Sequence, residues 1–140
     1  MPFFVAGQNA IARGIGEALS PVTLPTRWLV LMMPDAHVAT REIFASPDLT
    51  RDTPSAKIDV FSESYGRNDL AAVTAQKFPQ VADALRRRVD ARLTGSGACV
   101  FVAFATRASA EEALTAVRRS GETYLLARTL ARHPLASFAR

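Results

Sequence analysis

A short stretch with two glycines is the first candidate for chemistry in this chain. Residues 92–101 read Arg-Leu-Thr-Gly-Ser-Gly-Ala-Cys-Val-Phe, so that Gly95 and Gly97 flank one serine. Glycines allow a tight turn and a close approach of the backbone to another surface, and successive backbone N–H groups in such a turn can bind an anion. A plain turn that leads into a strand explains the same pattern. The stretch is not a P-loop, because no Gly-Lys-Ser/Thr follows it.

The residue types that usually perform catalysis or hold metals are sparse. Cys99 is the single cysteine, so no intrachain disulfide can form. Its apolar neighbours indicate a buried structural thiol rather than a nucleophile. His37 and His133 lie far apart and have no cysteine or carboxylate ligands spaced around them, so we expect no metal site. We therefore assign no catalytic residue.

The charge of the chain is moderately positive. Seventeen Lys and Arg face thirteen Asp and Glu, which gives a net charge of +4. A solvated basic face and a phosphate- or nucleic-acid-binding patch both explain this excess. The densest cluster is Arg86, Arg87, Arg88 and Arg92, and no aromatic residues are interleaved with it. Stacking platforms for single strands need such aromatics, so we do not expect nucleic acid as a partner.

The apolar segments are short. Residues 1–5 are apolar, but they are too few for the hydrophobic part of a signal peptide and no basic region precedes them. No run approaches the ~20 apolar residues that cross a bilayer. These patterns predict a soluble cytoplasmic protein that does not enter a membrane.

Four strands are predicted from apolar runs bounded by proline or glycine. They cover residues 17–22, 28–33, 99–104 and 124–127. Because a short turn separates the first two, we expect them to form an antiparallel pair.

Helices are predicted from caps and helical spacing. One covers residues 39–45 with Thr40 as N-cap, and one covers 69–77 with Asn68 as N-cap. A third begins at Pro79 and a fourth is capped by Ser109.

In the third helix the apolar positions are predicted to face inward, whereas its arginines face outward or sideways. The inward positions are Val81, Leu85 and Val89, and the arginines are Arg86, Arg87 and Arg88. Residues 48–66 are polar and predict a long surface loop.

Strands covered on one face by helices predict an α+β fold. The order is strand, strand, helices, strand, helix, strand, which suggests a ferredoxin-like antiparallel sheet with helices packed on one face. The length of 140 residues fits one domain.

The glycine-containing stretch as a whole resembles the third conserved motif of the GHMP kinase superfamily. Its particular form is similar to that of the branch that phosphorylates 4-diphosphocytidyl-2-C-methyl-D-erythritol. Further segments match the same branch in the same order: residues 2–4, 14–17, 40–44, 51–54, 68–70 and, weakly, 133–135. The resemblance covers essentially all 140 residues, as a GHMP kinase C-terminal domain in which residues 1–16 cross over from an N-terminal domain.

This resemblance implies a function and a set of site residues. The whole kinase would use ATP and Mg2+ to phosphorylate the 2-hydroxyl of its cytidine-diphosphate-linked substrate, in the non-mevalonate route to isoprenoids. Phe44 matches the aromatic residue that stacks on the cytosine ring, and Thr40 matches a residue that contacts the substrate. The loop that closes on the active site corresponds to Thr94, Gly95, Ser96, Gly97 and Ala98.

The sequence also departs from the family pattern. It contains no Pro-x-x-x-Gly-Leu-Gly-Gly-Gly-Ser-Ser phosphate loop, no substrate-positioning Lys and Asn motif and no catalytic Asp. Since phosphoryl transfer depends on placing and neutralising charge, we expect this chain alone to be inactive and to bind neither ATP nor Mg2+ tightly.

Two interpretations of the missing motifs stay open. In the first, the N-terminal kinase half is the natural partner, and the apolar surface left exposed without it could also form a homodimer. In the second, the chain is a free-standing ferredoxin-like binding module without catalytic activity.

Overall fold

The computed structural model describes residues 7–54 and 67–135. The chain divides into two compact units. The first combines Met1–Arg27 with Arg128–Arg140, and the second is Trp28–Ala127.

A β-hairpin forms most of the regular structure of the first unit. Strands β1 (Ala10–Arg13) and β2 (Ala18–Pro21) pair antiparallel. Gly14 and Gly16, at φ 67° and 103°, make the turn between them, and Gly16 N donates to Arg13 O at 3.1 Å. The predicted pairing of residues 17–22 with 28–33 is therefore wrong. The two glycines supply the positive φ angles of a tight turn, so that a partner close in sequence is available to β2.

Within the first unit, described residues from its two chain segments contact each other. Thr129 and Arg27 exchange two hydrogen bonds, from Arg27 N to Thr129 Oγ1 at 2.8 Å and from Thr129 N to Arg27 O at 2.9 Å. Gln8 forms an isolated antiparallel bridge with Arg132. Both chain segments of the unit are thus joined by main-chain contacts.

The second unit contains a four-stranded sheet. Its strands are β3 (Trp28–Met33), β4 (Arg92–Leu93), β5 (Val100–Phe104) and β6 (Thr123–Arg128), whose last residue falls at the unit boundary. The strand order is β4-β5-β3-β6. Strand β5 pairs antiparallel with β3 and with β4. The predicted strands 28–33, 99–104 and 124–127 are confirmed within one or two residues, whereas the two-residue β4 was not predicted.

Within the residues that the structure describes, four helices connect these strands. They are α1 (Thr40–Ala45), α2 (Leu70–Lys77), α3 (Pro79–Arg86) and α4 (Arg107–Val117). Helices α1 to α3 lie between β3 and β4 in the chain, and α4 lies between β5 and β6. A β-α-β-β-α-β sequence with this strand order is the ferredoxin-like arrangement, and the predicted α+β fold is confirmed.

Alternate residues of the central strands build the core. Val30 and Met32 of β3 lie opposite Val102 and Val100 of β5, and all four are buried. This period of two is that of a strand with one face against helices. The helices contribute Val81, Ala84, Ala110 and Val117 to the same cluster. A smaller cluster of Ile43, Leu49 and Val73 joins α1 to α2.

Three predicted helix caps are wrong. Thr40 is the first residue of α1 rather than its cap, since Ala39 occupies the cap position without a side-chain bond. Helix α4 begins two residues before Ser109, because Thr106 Oγ1 accepts from Ser109 N at 3.2 Å and so caps the helix itself. Asn68 is not the cap of α2 either, because Asp69 occupies the cap position and the helix begins at Leu70. The Asn68 side chain still bonds the first turn, since its Oδ1 accepts from Leu70 N at 3.1 Å.

Helix α3 ends earlier than its apolar spacing predicted. It begins at Pro79 as expected but stops at Arg86, so that Val89 lies beyond it and is fully exposed. Arg87 also departs from the prediction, because its side chain is only 5% exposed. The reason is a set of acidic and phenolic partners, described below.

Candidate functional site

The glycine loop, residues 94–98, connects β4 to β5. Two main-chain hydrogen bonds close it, from Thr94 N to Cys99 O and from Gly97 N to Thr94 O, both at 2.9 Å. Gly95 and Gly97 have φ values of 51° and 104°, which side-chain-bearing residues rarely adopt. The predicted tight turn is therefore present at this place.

The two glycines meet different surroundings. A Cβ at Gly97 would lie 3.1 Å from Thr74 Cγ2 and 3.4 Å from Leu93 Cδ1, whereas a Cβ at Gly95 would have nothing within 4 Å. Gly97 thus lies against α2, and Gly95 faces open space. One side of the loop is packed and the other is accessible.

Helix α2 holds the packed side of the loop. Asn68 Nδ2 donates to Leu93 O at 3.1 Å and to Gly95 O at 2.8 Å. Thr74, which is fully buried, donates through Oγ1 to Ser96 O at 2.9 Å. Three carbonyls of this short segment are therefore bonded to α2 or to Asn68, two residues before it.

Helix α1 contacts the same loop through a pair of hydroxyls. Thr40 Oγ1 and Ser96 Oγ lie 2.7 Å apart. The structure thus brings Thr40 and the glycine loop together although 56 residues separate them in sequence.

Phe44 lies on α1 and is largely accessible. Its side chain is 53% exposed, whereas its neighbour Ile43 is buried and anchors the helix. Because residues four apart share one face of a helix, Phe44 and Thr40 lie on the same side of α1. An exposed aromatic side chain and a hydroxyl contact to the loop therefore occupy one helical face.

Arg51 fixes the end of this short helix. Its Nη2 donates to Phe44 O at 2.6 Å and to Ser46 O at 3.2 Å. Carbonyls at a helix C-terminus have no partner within the helix. A cation there is also attracted to the negative end of the helix dipole. The backbone that carries Phe44 is thereby held in place.

Sequence reasoning had missed the roles of Thr74 and Arg51 and had seen Asn68 only as a cap. No local pattern identifies Thr74, because its partner Ser96 is 22 residues away. The resemblance did include residues 51–54 and 68–70, which was the available signal for the other two.

Cys99 follows directly after the loop. It is half-buried, and burial raises the pKa of its thiol, although a hydrogen bond with Thr94 opposes that effect. A thiol with a raised pKa carries little of the thiolate form that acts as nucleophile.

Two arginines of the cluster, Arg87 and Arg88, are engaged with carboxylates. Arg87 Nη1 and Nη2 bond Glu122 at 2.5 and 2.6 Å, and Arg87 Nη2 bonds Asp83 at 2.6 Å. Arg87 Nη1 also donates to Tyr124 Oη at 2.8 Å. Arg88 pairs with Asp90 at 2.8 Å and lies over the ring of Phe104.

These ion pairs shift the pKa values of their members. Hydrogen bonding to Arg87 lowers the pKa of Glu122 to about 2 and also lowers that of Asp83. Burial and the bond to Glu122 raise the pKa of Tyr124. We call Asp83, Arg87, Glu122 and Tyr124 the arginine network.

Metal-ligating side chains do not gather in the parts of the chain at residues 7–54 and 67–135. No group of three or more His, Cys, Asp or Glu comes together there. Over the same ranges, none of the helices has the length and apolar character needed to cross a membrane.

Comparison with known proteins connects this arrangement to a kinase family. A family model described as the C-terminal region of GHMP kinases matches residues 52–123, just over half of the chain. A solved structure of 4-(cytidine 5'-diphospho)-2C-methyl-D-erythritol kinase superposes with a TM-score of 0.68 at 25% identity. That superposition covers 91% of this chain and 52% of the other.

Curated relatives point the same way. The 4-diphosphocytidyl-2-C-methyl-D-erythritol kinase of Thiobacillus denitrificans is 45% identical over 99% of this chain and 50% of its own length. The kinase of the same name from Cupriavidus necator is 47% identical over 99% and 50%, and that from a Janthinobacterium strain is 46% identical over 97% and 49%. The chain thus spans about half the length of these relatives, and it belongs to the GHMP kinase C-terminal domain family.

Proposed function

We propose that this chain is the substrate-binding side of an ATP-dependent kinase that phosphorylates the 2-hydroxyl of 4-diphosphocytidyl-2-C-methyl-D-erythritol in non-mevalonate isoprenoid biosynthesis. The observation that carries the proposal is the contact of 2.7 Å between Thr40 and Ser96. It joins the helix that bears Phe44 to the glycine loop, and these are the two elements that carry the site residues implied by the family resemblance. The names of the curated relatives support the same substrate.

Phe44 is proposed to stack on the cytosine ring. Its side chain is 53% exposed on a helix held by the buried Ile43 and by Arg51. A flat apolar face that is already accessible suits a base, and such stacking contributes about 1–3 kcal/mol. Since every base has such a face, the preference for cytosine has to come from other contacts.

The pair of hydroxyls is proposed to contact the remainder of the substrate. Two hydroxyls hold two protons, and their mutual hydrogen bond uses one of them. One O–H donor and several acceptor sites therefore remain for a ligand beside the accessible Gly95. Thr40 can thus meet the substrate without losing its contact with Ser96.

ATP and Mg2+ belong, in this proposal, to the whole kinase. Mg2+ prefers carboxylate and phosphate oxygens, and the described residues contain no cluster of three such protein ligands. We assign no step to either group on this chain, and we expect the purified chain to show no phosphoryl transfer. ATP- and Mg2+-dependent turnover of the cytidine-diphosphate-linked substrate by the chain alone would contradict this.

A calorimetric titration with cytidine 5'-diphosphate tests the nucleotide site. We expect saturable binding that Phe44→Ala weakens about thirtyfold, the middle of the range for one stacked base. Val89→Ala is the matched control, because Val89 is also an exposed apolar side chain and lies outside α1. Ribose 5-phosphate tests the base itself, since its affinity should not respond to Phe44→Ala.

The possible results test whether this chain carries the nucleotide site by itself. Binding that is unchanged by Phe44→Ala removes the proposed base contact. No binding by the unaltered chain at millimolar nucleotide would instead favour a module with another ligand, or a site that forms only with the kinase half.

A further inference from the structure

The residues that fix the glycine loop lie outside it. Asn68 precedes α2 and bonds the carbonyls of Leu93 and Gly95, while Thr74 in the middle of α2 bonds the carbonyl of Ser96. Neither Asn68 nor Thr74 belongs to the segment that resembles the family motif. The loop conformation therefore depends on side chains more than 20 residues away in sequence.

The orientation of the Asn68 amide is determined by its surroundings. Its Nδ2 faces two carbonyl oxygens, at 3.1 and 2.8 Å, and its Oδ1 faces the N–H of Leu70 at 3.1 Å. A flipped amide would place oxygen against the two carbonyls and nitrogen against an N–H donor. The side chain thus has one favourable orientation, and it ties the loop to the start of α2.

Thr74 contributes both a bond and a shape. Its hydroxyl donates to Ser96 O, and its methyl carbon lies 3.1 Å from the place that a Cβ of Gly97 would take. Thr74 is itself fully buried beside Val73, which packs in the cluster that joins α1 to α2. A buried polar group of this kind is costly unless it is bonded, so that its contact with the loop is strongly favoured.

We infer that Asn68 and Thr74 are positioning residues, which hold the glycine loop in its ligand-ready conformation before any ligand binds. With the Ser96 carbonyl bonded to Thr74, the Ser96 hydroxyl is directed to Thr40. Preorganisation of this kind increases affinity because binding does not have to order the loop. The expected effect on nucleotide binding rests on the proposed function. How firmly the two residues hold the loop can be measured without a ligand.

Amide hydrogen exchange on the full chain measures how firmly the loop is held. The reporters are Thr94 and Gly97, whose N–H groups bond within the loop segment, and amides of α4 serve as the internal reference. We expect Thr74→Val, which keeps the shape and removes the hydroxyl, to raise loop exchange about tenfold relative to α4. Thr74→Ser keeps the hydroxyl and should stay within about threefold of the unaltered chain.

Asn68→Asp provides an independent variant at the other anchor. It retains an acceptor for Leu70 N but turns an oxygen towards the carbonyls of Leu93 and Gly95. We expect it to raise loop exchange by at least the tenfold of Thr74→Val, because two donated bonds are lost and repulsion replaces them.

Titration with cytidine 5'-diphosphate then tests the consequence for binding. Affinity should fall about tenfold in Thr74→Val and recover in Thr74→Ser. A loss in Thr74→Ser that Thr74→Val does not show would mean that packing by the methyl group, rather than the hydroxyl, holds the loop, and it would overturn the inference. An equal rise of exchange in the loop and in α4 would also overturn it.

The two proposals can fail separately. If the unaltered chain does not bind the nucleotide, the proposal that this chain carries a preformed nucleotide site is contradicted. The exchange ratio between the loop and α4 still decides whether Asn68 and Thr74 hold the loop.

Discussion

Two groups of hydrogen-bonded side chains in the Trp28–Ala127 unit are built from opposite chemistry. The arginine network joins α3 to β6 through charged groups, and its central guanidinium is nearly inaccessible at 5% exposure. Around the glycine loop, neutral amide and hydroxyl groups donate to backbone carbonyls. Phe44 and the open side of Gly95 remain accessible there.

The two groups differ in how many hydrogen-bond donors and acceptors remain available to a ligand. All three guanidinium nitrogens of Arg87 are engaged by protein groups, and Tyr124 Oη contacts both Arg87 and Glu122. The network therefore offers little to a ligand and serves to stabilise the fold. The Thr40–Ser96 pair keeps one free donor, so that binding chemistry is expected at the loop and stability at the network.

Arg87→Ala should have the largest effect on stability. Removal of the guanidinium leaves Glu122 and Asp83 without their cation. Loss of one partner of a buried pair destabilises by about 3–5 kcal/mol, and we expect about 3 kcal/mol here because the two carboxylates are 21% and 41% exposed. Urea denaturation measures the change. Arg86→Ala is the matched control, since Arg86 is the exposed neighbour on α3 and should change stability by no more than about 0.5 kcal/mol. Equal effects of the two variants would mean that the network does not stabilise the fold.

Gly97→Ala should have an intermediate effect. A φ of 104° strains any residue with a side chain, and the new Cβ would meet Thr74 Cγ2 at 3.1 Å. We expect a loss of about 2 kcal/mol. Gly95→Ala, at a φ of 51° with open space around it, should cost about 1 kcal/mol. If Gly97→Ala destabilises as much as Arg87→Ala, the loop is as important for folding as the network and the contrast disappears.

Acidification should cause the smallest of the three losses of stability, and it should act on the arginine network. The pKa of Glu122 is lowered from 4.5 to about 2 by its bond with Arg87. Since the folded pKa lies below the unfolded one, this stabilisation is complete above about pH 4.5 and is lost as the pH falls towards about 2. After allowance for solvent screening, we expect a loss of about 1–2 kcal/mol.

Thermal unfolding between pH 5 and pH 2 measures that loss. Glu122→Gln should flatten the decline, because the titrating group is removed. Glu111→Gln serves as the control, since the carboxylate of Glu111 is half-exposed in its pair with Arg107. A decline that is equally steep in Glu122→Gln and in the unaltered chain would show that other carboxylates cause the acid sensitivity.

Features that depend on nearby residues were predictable from the sequence. The apolar runs at 28–33 and 99–104 became β3 and β5, and Pro79 began α3 as expected. Both signals act within a few residues, since a continuous apolar run suits a strand buried in a sheet and proline suits the first turn of a helix. The α+β class was therefore predicted, although the predicted list of strands included residues 17–22, which pair with β1 in another sheet, and omitted β4.

Features that depend on distant partners were not predictable in this way. Arg87 was expected outside because its neighbours are arginines, but Glu122 and Tyr124, 35 and 37 residues further on, make its burial favourable. Thr40 was taken for a cap because its hydroxyl suits that position, yet its partner is Ser96. For the site, the resemblance supplied Thr40, Phe44 and the loop, and only the structure supplied the anchors from α2.

The reactivity of Cys99 can be used to measure opening of the glycine loop. Cys99 is the single thiol in the sequence and follows the glycine loop directly. Burial raises the pKa of Cys99. Its reaction with an alkylating reagent should therefore be slow while the hydrogen bond from Thr94 N to Cys99 O is intact, and faster whenever this end of the loop opens. The alkylation rate of Cys99 therefore measures how often this end of the loop opens. A ligand that keeps the loop closed should lower that rate.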